Sequence, residues 1–453
     1  MGAKHYYIET YGCQMNVADS ELVNAILAER GYERVENAED ADAILMNTCS
    51  VRENAETRIY GRIGAFKPMK RATATVVGVL GCMAERLRDE LVERHGVDVV
   101  VGPDEYRRLP DYLEAAFRGE KAVGVKLSRT ETYEDLAPLR ENGVSAWIPI
   151  ARGCDRFCSY CVVPYTRGRE RSRSFTSILE EAKELARSGY REITLLGQNV
   201  NAYAEGGADF ADLLAACADV APPLRVRFAT SHPSDFSERI LQTIAERRNV
   251  CAYLHLPVQS GSNRVLELMN RGYTIERYLD IVDRARELSP DIAITTDVIA
   301  GFPTETEEDH RATLEVFRRV RYDGAYMFRY SPRPESKAAR MDDDVPEETK
   351  KRRLQEIIDL QRTLSEENNR AWIGAERAVL VEGASKKSDE RLSGRTDDNK
   401  LVVFPKPSNV AAGDYVLLRI TDATSATLFG EGARKIEAEA AFREDGSAKR
   451  RAI

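Results

Sequence analysis

Apolar and polar positions in the first hundred residues repeat one arrangement three times: a short apolar strand, a small polar turn holding a cysteine, and an amphipathic helix. In the first copy the strand is Tyr6–Thr10, the turn runs from Gly12-Cys13 to Asn16, and the helix covers about Asp19 to Arg30. In the second these are Ala43–Asn47, Thr48-Cys49-Ser50 and Arg52–Ile63; in the third, Thr75–Leu80, Gly81-Cys82-Met83 and Ala84–Glu93. Strands alternating with helices predict a parallel sheet, and such sheets bind ligands beyond the carboxyl ends of their strands. All three cysteines fall at that edge. The pattern therefore predicts that Cys13, Cys49 and Cys82 converge, although 36 and 33 residues separate them.

Between Leu136 and Val144 the chain turns loop-like, with Pro138, Asn142 and Gly143, and a boundary is placed there. Strand and helix patterns then alternate again to about Asp344. The strand candidates are Trp147–Ala151, Glu192–Leu196, Arg225–Ala229, Ala252–Leu256, Ile292–Val298 and Ala325–Tyr330. Six such units in some 200 residues predict a partial (β/α)6 barrel. A charged helix follows, from Pro346 to about Trp372. Beyond Ile373 come short strands at Ala378–Val381, Lys400–Phe404, Asp414–Ile420 and Ala426–Phe429, separated by polar turns, which predict a small antiparallel β-barrel. The fold class is thus α/β. Its parts are an N-terminal parallel domain over 1–140, a barrel with a helical extension over 141–372, a small β-barrel over 373–440, and a basic tail over 441–453 that is expected to be disordered.

Length and composition agree with this division. A chain of 453 residues, 43% apolar and 31% charged, builds about three soluble domains. No apolar run approaches the roughly 18 residues of a membrane span, and Met1–Tyr7 has no signal-peptide character. These features place the protein in the cytoplasm, away from any membrane, where thiols stay reduced. The eight cysteines then need a reason other than disulfides. The net charge of −8 means that any nucleic-acid contact must come from local basic patches.

The sharpest chemical motif is Arg152-Gly153-Cys154-Asp155-Arg156-Phe157-Cys158-Ser159-Tyr160-Cys161, on the loop after the first barrel strand. Three soft thiolates this close suit an iron–sulfur cluster. With only three protein ligands, one iron of a four-iron cluster is open to a substrate or cofactor. The alternatives are a zinc site lacking its fourth ligand and three unrelated cysteines. Cys13, Cys49 and Cys82 each read singly as a small buried hydrophobe, but their recurrence at one place in three units argues for a shared role. Cys217, on an apolar helix face, and Cys251, opening an apolar strand, read as core.

The Cys-x-x-x-Cys-x-x-Cys spacing, with Tyr160 before the last cysteine, resembles the radical S-adenosylmethionine (SAM) superfamily. The three upstream cysteines, the run Val162-Val163-Pro164-Tyr165-Thr166-Arg167-Gly168-Arg169 and the terminal β-barrel narrow the resemblance to the methylthiotransferases, most of all their MiaB branch. The resemblance covers nearly the whole chain. It implies an auxiliary-cluster domain, a radical SAM core and a terminal TRAM domain. It also implies two 4Fe–4S clusters with three cysteine ligands each, one on Cys154, Cys158 and Cys161 and the other on Cys13, Cys49 and Cys82. Tyr160 would lie beside the SAM adenine. The implied reaction is methylthiolation of carbon 2 of N6-isopentenyl (dimethylallyl) adenosine beside the tRNA anticodon, at position 37. SAM would serve as both radical source and methyl donor, because that C–H bond is unactivated. The implied partners are the tRNA anticodon stem-loop, a low-potential electron donor such as flavodoxin or ferredoxin, and a sulfur donor, with the enzyme a monomer. Relatives acting on a ribosomal-protein aspartate or on threonylcarbamoyl-adenosine are the alternative. A non-catalytic iron–sulfur RNA-binding protein is the reading from another class.

Candidate SAM contacts follow barrel strands: Gln198 and Asn199 after the second, Gln259 after the fourth, and Gly301 after the fifth, where many relatives have Gly in place of Thr304. The other reading is ordinary turn chemistry. Arg227 points to one barrel face and meets either the SAM carboxylate or a structural one. Arg167, Arg169, Arg171 and Arg173 form a basic run after the cluster loop and are expected to include RNA-phosphate contacts. Arg329, Arg333 and Lys337 read as a solvated face. The terminal barrel is similar to oligonucleotide-binding barrels, with charges that nearly cancel, so it should bind only weakly alone.

Overall fold

The structure is a computed structural model and describes residues 4–50, 53–140 and 143–442. Residues 443–453 of the basic tail, Arg52 and Asn142 lie outside the described residues, while Ala441 and Phe442 are buried. The N-terminal sheet contains β1 (Lys4–Tyr11), β2 (Tyr32–Arg34), β3 (Ala43–Thr48), β4 (Val76–Gly81), β5 (Val99–Val101) and β6 (Ala122–Gly124). All neighbours are parallel, in the order β2-β1-β3-β4-β5-β6. Every residue of β3 and β4 is buried, as expected for central parallel strands covered by helices on both faces. Separate apolar clusters fill the two sides, one around Val23, Leu45 and Leu113, the other around Ile44, Ile63 and Val100. The repeat reading found β1, β3 and β4. The three-residue strands β2, β5 and β6 were too short to carry a period. The single helix expected over Ala84–Glu93 is two, Cys82–Leu87 and Asp89–Glu93, because Arg88 turns left-handed at φ +47°.

The barrel begins with β7 (Ser145–Pro149) and β8 (Ala151–Arg152), which pairs antiparallel with β9 (Arg171–Ser172). The wall continues through β10 (Glu192–Leu196), a two-residue hairpin of β11 (Ala204–Glu205) and β12 (Ala208–Asp209), then β13 (Arg225–Phe228), β14 (Tyr253–His255), β15 (Ala293–Ala300) and β16 (Gly324–Arg329). Two parallel sheets, β7-β10-β13 and β14-β15-β16, are joined by a parallel bridge between Val226 and Val250. The result is a six-stranded open barrel with the large apolar core expected of it, and Cys217 and Cys251 are buried.

Five strands close the C-terminal barrel: β17 (Glu376–Ser385), β18 (Ser388–Arg395), β19 (Leu401–Pro405), β20 (Tyr415–Ala423) and β21 (Leu428–Ile436). Sequence patterning misses β18, whose eight residues hold one large apolar side chain, Leu392. This barrel seals the floor of the larger one, at the amino ends of its strands. Arg225 Nη1 donates to the Arg395 carbonyl (3.0 Å), and Arg227 donates to the carbonyls of Thr396 (2.7 Å) and Asp397 (2.8 Å). Lys400 pairs with Asp323 at 2.7 Å. Among the described residues, no helix is long and apolar enough to cross a membrane.

Candidate active site

Residues 153–161 leave the barrel wall at its carboxyl end and are tied down by backbone bonds. Gly153 N–H donates to Gln198 Oε1 (2.7 Å), Cys154 N–H to the Gly168 carbonyl (3.1 Å), and Ser159 N–H to the Met269 carbonyl (2.9 Å). Cys158 Sγ accepts from Arg271 Nη1 at 3.2 Å. Burial pushes the Cys154 thiol up to about 11, and burial with the nearby Cys158 pushes Cys161 up to about 12. Metal binding must therefore expel protons that these thiols hold at neutral pH.

In the second triad Cys13 and Cys49 meet directly, and Cys82 lies within electrostatic reach of Cys13. Gly12, at φ +145°, lets the first turn approach the second: a Cβ there would sit 2.7 Å from the Cys49 Cβ and 2.4 Å from Asn16 Oδ1. The Cys13 thiol is lowered to about 6, chiefly by the hydrogen bond with Cys49; burial opposes this and the Arg167 charge assists. Burial raises the Cys82 thiol, against the pull of Arg167, whose Nε lies 3.1 Å from Cys82 Sγ. An amide network supports these turns from beneath. Asn16 Nδ2 donates to Asn47 Oδ1 (3.1 Å), and Asn47 Nδ2 donates to the Asn16 carbonyl (2.9 Å) and to Ser20 Oγ (2.9 Å). No three His, Cys, Asp or Glu side chains among the described residues close around a single ion. Three thiols in each set match, in number and type, the thiolate ligands of an iron–sulfur cluster.

Three of the four arginines expected to touch RNA phosphate are internal: Arg167, Arg171 and Arg173 are 3%, 7% and 7% exposed. Asp19, fully buried, takes Arg152 at 2.6 Å on one oxygen and Arg167 at 2.7 Å on the other. Burial opposes the ionised Asp19, but the two guanidiniums outweigh it and hold the carboxyl below its ordinary value. Arg171 pairs with Asp104 at 3.0 Å, and Arg173 pairs with Glu181. These three are taken by internal carboxylates: Asp19 and Asp104 lie 148 and 67 residues from their arginines, and Glu181 lies on the helix that follows the run. Arg169 stays exposed, 2.8 Å from Asp155. Asp19 had a legible signature that composition alone does not weigh. It belongs to a polar stripe of Asn16, Asp19, Ser20 and Asn24 on the buried face of the helix Gln14–Glu29.

A cavity of about 480 Å³ opens beside Cys161, at the carboxyl ends of β14 to β16. Tyr160, Gln259, Ile299, Phe328 and Tyr330 line it, with Arg329 and Arg333 also in its wall, so that pair is not a plain solvated face. Its size is that of a small-molecule site. Around the barrel mouth, Ser159 Oγ, Asn199 Oδ1, Ser231 Oγ and His232 Nε2 are buried polar atoms without protein partners. Such orphans cost about 1–3 kcal/mol each unless a ligand pairs them, and the polar groups of SAM fit that need. Burial, with Arg271 and Arg156 adding to it, holds His232 far below the usual imidazole range, so its ring is neutral. Sequence reasoning missed Arg271, Ser231 and His232; Ser231 and His232 sit in the turn after β13 and Arg271 in the loop between the helices Asn263–Leu268 and Ile275–Leu288, with no distinguishing spacing.

Several predicted SAM contacts are occupied otherwise. Gln198 braces Gly153, and Asn199 Nδ2 donates to Asp235 at 2.7 Å. Arg227 does meet a carboxylate, but it is Glu192 (2.7 Å), at the barrel floor and away from the cluster loop. Gly301, at φ +74°, makes room for another side chain: a Cβ would lie 2.3 Å from Lys350 Cγ. Thr304 adopts φ +68°, a left-handed conformation in which glycine carries no strain. Gly301→Ala should destabilise the protein by about 2–4 kcal/mol through strain and overpacking. It should also push out the helix Glu347–Arg370, whose Lys351 and Leu354 face the cavity. Thermal unfolding and SAM affinity check this; a wild-type Tm would refute it.

Comparison with known proteins adds three domain matches: Radical SAM superfamily over 148–317, Uncharacterized protein family UPF0004 over 5–102, and TRAM domain over 370–432. A Bacteroides fragilis protein named tRNA-2-methylthio-N(6)-dimethylallyladenosine synthase is 53% identical over 437 residues, covering 94% of this chain and 95% of its own. A Phocaeicola vulgatus protein of the same name is 53% identical over 437 residues, covering 94% and 96%. Among solved structures, the radical S-adenosylmethionine methyltransferase TsrM from Kitasatospora setae, with cobalamin and a 4Fe–4S cluster bound, matches with a TM-score of 0.58. It is 18% identical and covers 75% of this chain and 77% of its own, a likeness of fold.

Proposed function

The chain belongs to the radical SAM methylthiotransferases named tRNA-2-methylthio-N6-dimethylallyladenosine synthases, and from that premise we propose how its parts divide the work. The enzyme uses a 4Fe–4S cluster and SAM to act on tRNA. Cys154, Cys158 and Cys161 would hold the SAM-binding cluster. Cys13, Cys49 and Cys82 would hold an auxiliary one that carries the sulfur. The target is carbon 2 of the dimethylallyl-adenosine beside the anticodon, at position 37. When bound, the first cluster and SAM supply the radical that an unactivated C–H bond requires, and a second SAM supplies the methyl group. The chain's own residues bind and orient. Tyr160 and Gln259 line the cavity beside Cys161, Ser231 and His232 offer polar atoms to SAM, and Arg271 holds Cys158.

The observation that carries this reading is the contact of Arg167 with Cys82. Arg167 follows the cluster loop directly, so the contact sets both triads against one domain interface. A low-potential electron donor such as flavodoxin or ferredoxin, a sulfur donor, a monomeric state and a cytoplasmic location complete the reading, as do boundaries near 140 and 372. The deciding experiment is mass analysis of tRNA nucleosides after incubation with reconstituted protein, SAM and reductant. Methylthiolated dimethylallyl-adenosine is the expected product. Unchanged tRNA beside a modified ribosomal protein, or methylthiolated threonylcarbamoyl-adenosine, would overturn the choice of substrate.

A further inference from the structure

Arg167 carries a consequence beyond its place in the interface. Its backbone is fixed: its N–H donates to the Val163 carbonyl (2.8 Å), and its carbonyl accepts from Arg171 Nη2 (3.3 Å). Its guanidinium is fully buried and is split between two acceptors of different kinds. Nη2 meets the Asp19 carboxylate at 2.7 Å and Nε meets the Cys82 sulfur at 3.1 Å. The usual partner of that fork is one carboxylate held by both donors. Here Arg152 takes the other Asp19 oxygen, which leaves the Nε of Arg167 for the thiol. Nη1 has no protein partner, a further buried donor on the same group. Arginine stays charged under all working conditions, and Asp19 keeps it so in the interior.

We propose that Arg167 is a positioning residue for the N-terminal cluster, orienting Cys82 and raising the reduction potential of the cluster held by Cys13, Cys49 and Cys82. This rests on the reading that those cysteines hold a cluster. Hydrogen bonds to ligating sulfur and nearby positive charge both stabilise the more electron-rich, reduced state. The donor here is a full cation in a buried site, where its field is weakly screened. Because it is supplied by the barrel domain, the electronic setting of the N-terminal site depends on closure of the interface. Arg173 supplies the internal control: it is a buried arginine of the same run, and its hydrogen bonds are to Glu181 and Ser177 oxygens, none to sulfur or to Arg167.

The test uses the full-length protein carrying Cys154, Cys158 and Cys161→Ala, reconstituted with iron and sulfide, so that only the N-terminal triad can hold a cluster. Its midpoint potential is measured by redox titration followed by electron paramagnetic resonance, alongside iron content and circular dichroism. Arg167→Gln should lower the potential enough to change the reduced-to-oxidised ratio at a fixed poise about tenfold, or about 59 mV for one electron. Arg167→Lys, which keeps the charge but loses the planar fork, should shift it the same way by less. Arg173→Lys should leave it in place. Should Arg167→Gln fail to fold, Arg167→Lys decides. Wild-type potentials in folded, iron-replete Arg167 variants overturn the proposal, as does an equal shift from Arg173→Lys. Failure of the underlying reading looks different: the background protein then binds no iron at all.

Discussion

Replacing Cys154, Cys158 and Cys161 together by alanine is expected to abolish 5′-deoxyadenosine formation. Replacing Cys13, Cys49 and Cys82 is expected to leave it running and to stop only methylthio transfer. Alanine cannot ligate iron, so each triple variant should lose about four irons per chain. The first loses the metal beside the cavity lined by Tyr160 and Gln259. The second keeps it, because the loop is braced by Gln198, Gly168 and Met269 rather than by the N-terminal turns. Arg167 retains Asp19 when Cys82 is gone, so the interface should survive. Iron content, 5′-deoxyadenosine and methylthiolated nucleoside, measured side by side, make the comparison. Full iron content in the N-terminal variant would mean that those cysteines are packing residues. Product at the normal rate from that variant would end the two-cluster reading.

The second large effect concerns the C-terminal barrel. By sequence alone, a chain ending near Ile373 reads as a minimal radical enzyme, since both triads lie upstream. The structure argues otherwise. Arg225 and Arg227 are buried, and the carbonyls of Arg395, Thr396 and Asp397 accept their donors. Asp397 also accepts from the Ala252 N–H, and Lys400 pairs with Asp323. Truncation takes these backbone acceptors from both arginines, leaves them Glu192 alone and opens the barrel floor to water, at about 1.5–3 kcal/mol for each charged hydrogen bond lost. Three such bonds are a large part of the stability of a typical domain, about 5–15 kcal/mol. The truncated protein should therefore melt far below the full chain and retain little iron, losing SAM cleavage along with tRNA modification. A truncated protein with the parent's Tm and full SAM cleavage would show that the floor contacts are dispensable.

What could be read from the chain follows from the range of the interactions involved. The strands β1, β3 and β4, and the six main barrel strands, lie in apolar runs bounded by turn residues, so their order and the edge at which their turns meet were legible. Convergence of Cys13, Cys49 and Cys82 followed from topology alone. The arginine run was misread because charge is a local property of sequence, while pairing is not. Asp19 and Asp104 answer Arg167 and Arg171 from 148 and 67 residues away, where no local pattern announces them, and Glu181 answers Arg173 from the next helix. Arg227 was legible as a buried cation in need of a carboxylate. Which carboxylate depended on the end of the barrel it faced, and on a loop near Thr396 some 170 residues later. Short edge strands and polar β18 escaped because too few residues alternate.

The Asp19 pair also sets a schedule. Its partners Arg152 and Arg167 are 133 and 148 residues downstream, and a ribosome adds about 5–20 residues each second. For roughly 7–30 s, then, Asp19 exists without the cations that its carboxylate requires, so it must stay hydrated and the face around it uncovered. The three cysteine turns, as each is made, stand at an open edge, and the barrel that will cover them has yet to be made. The order of synthesis therefore exposes the N-terminal thiols first and shuts them in last.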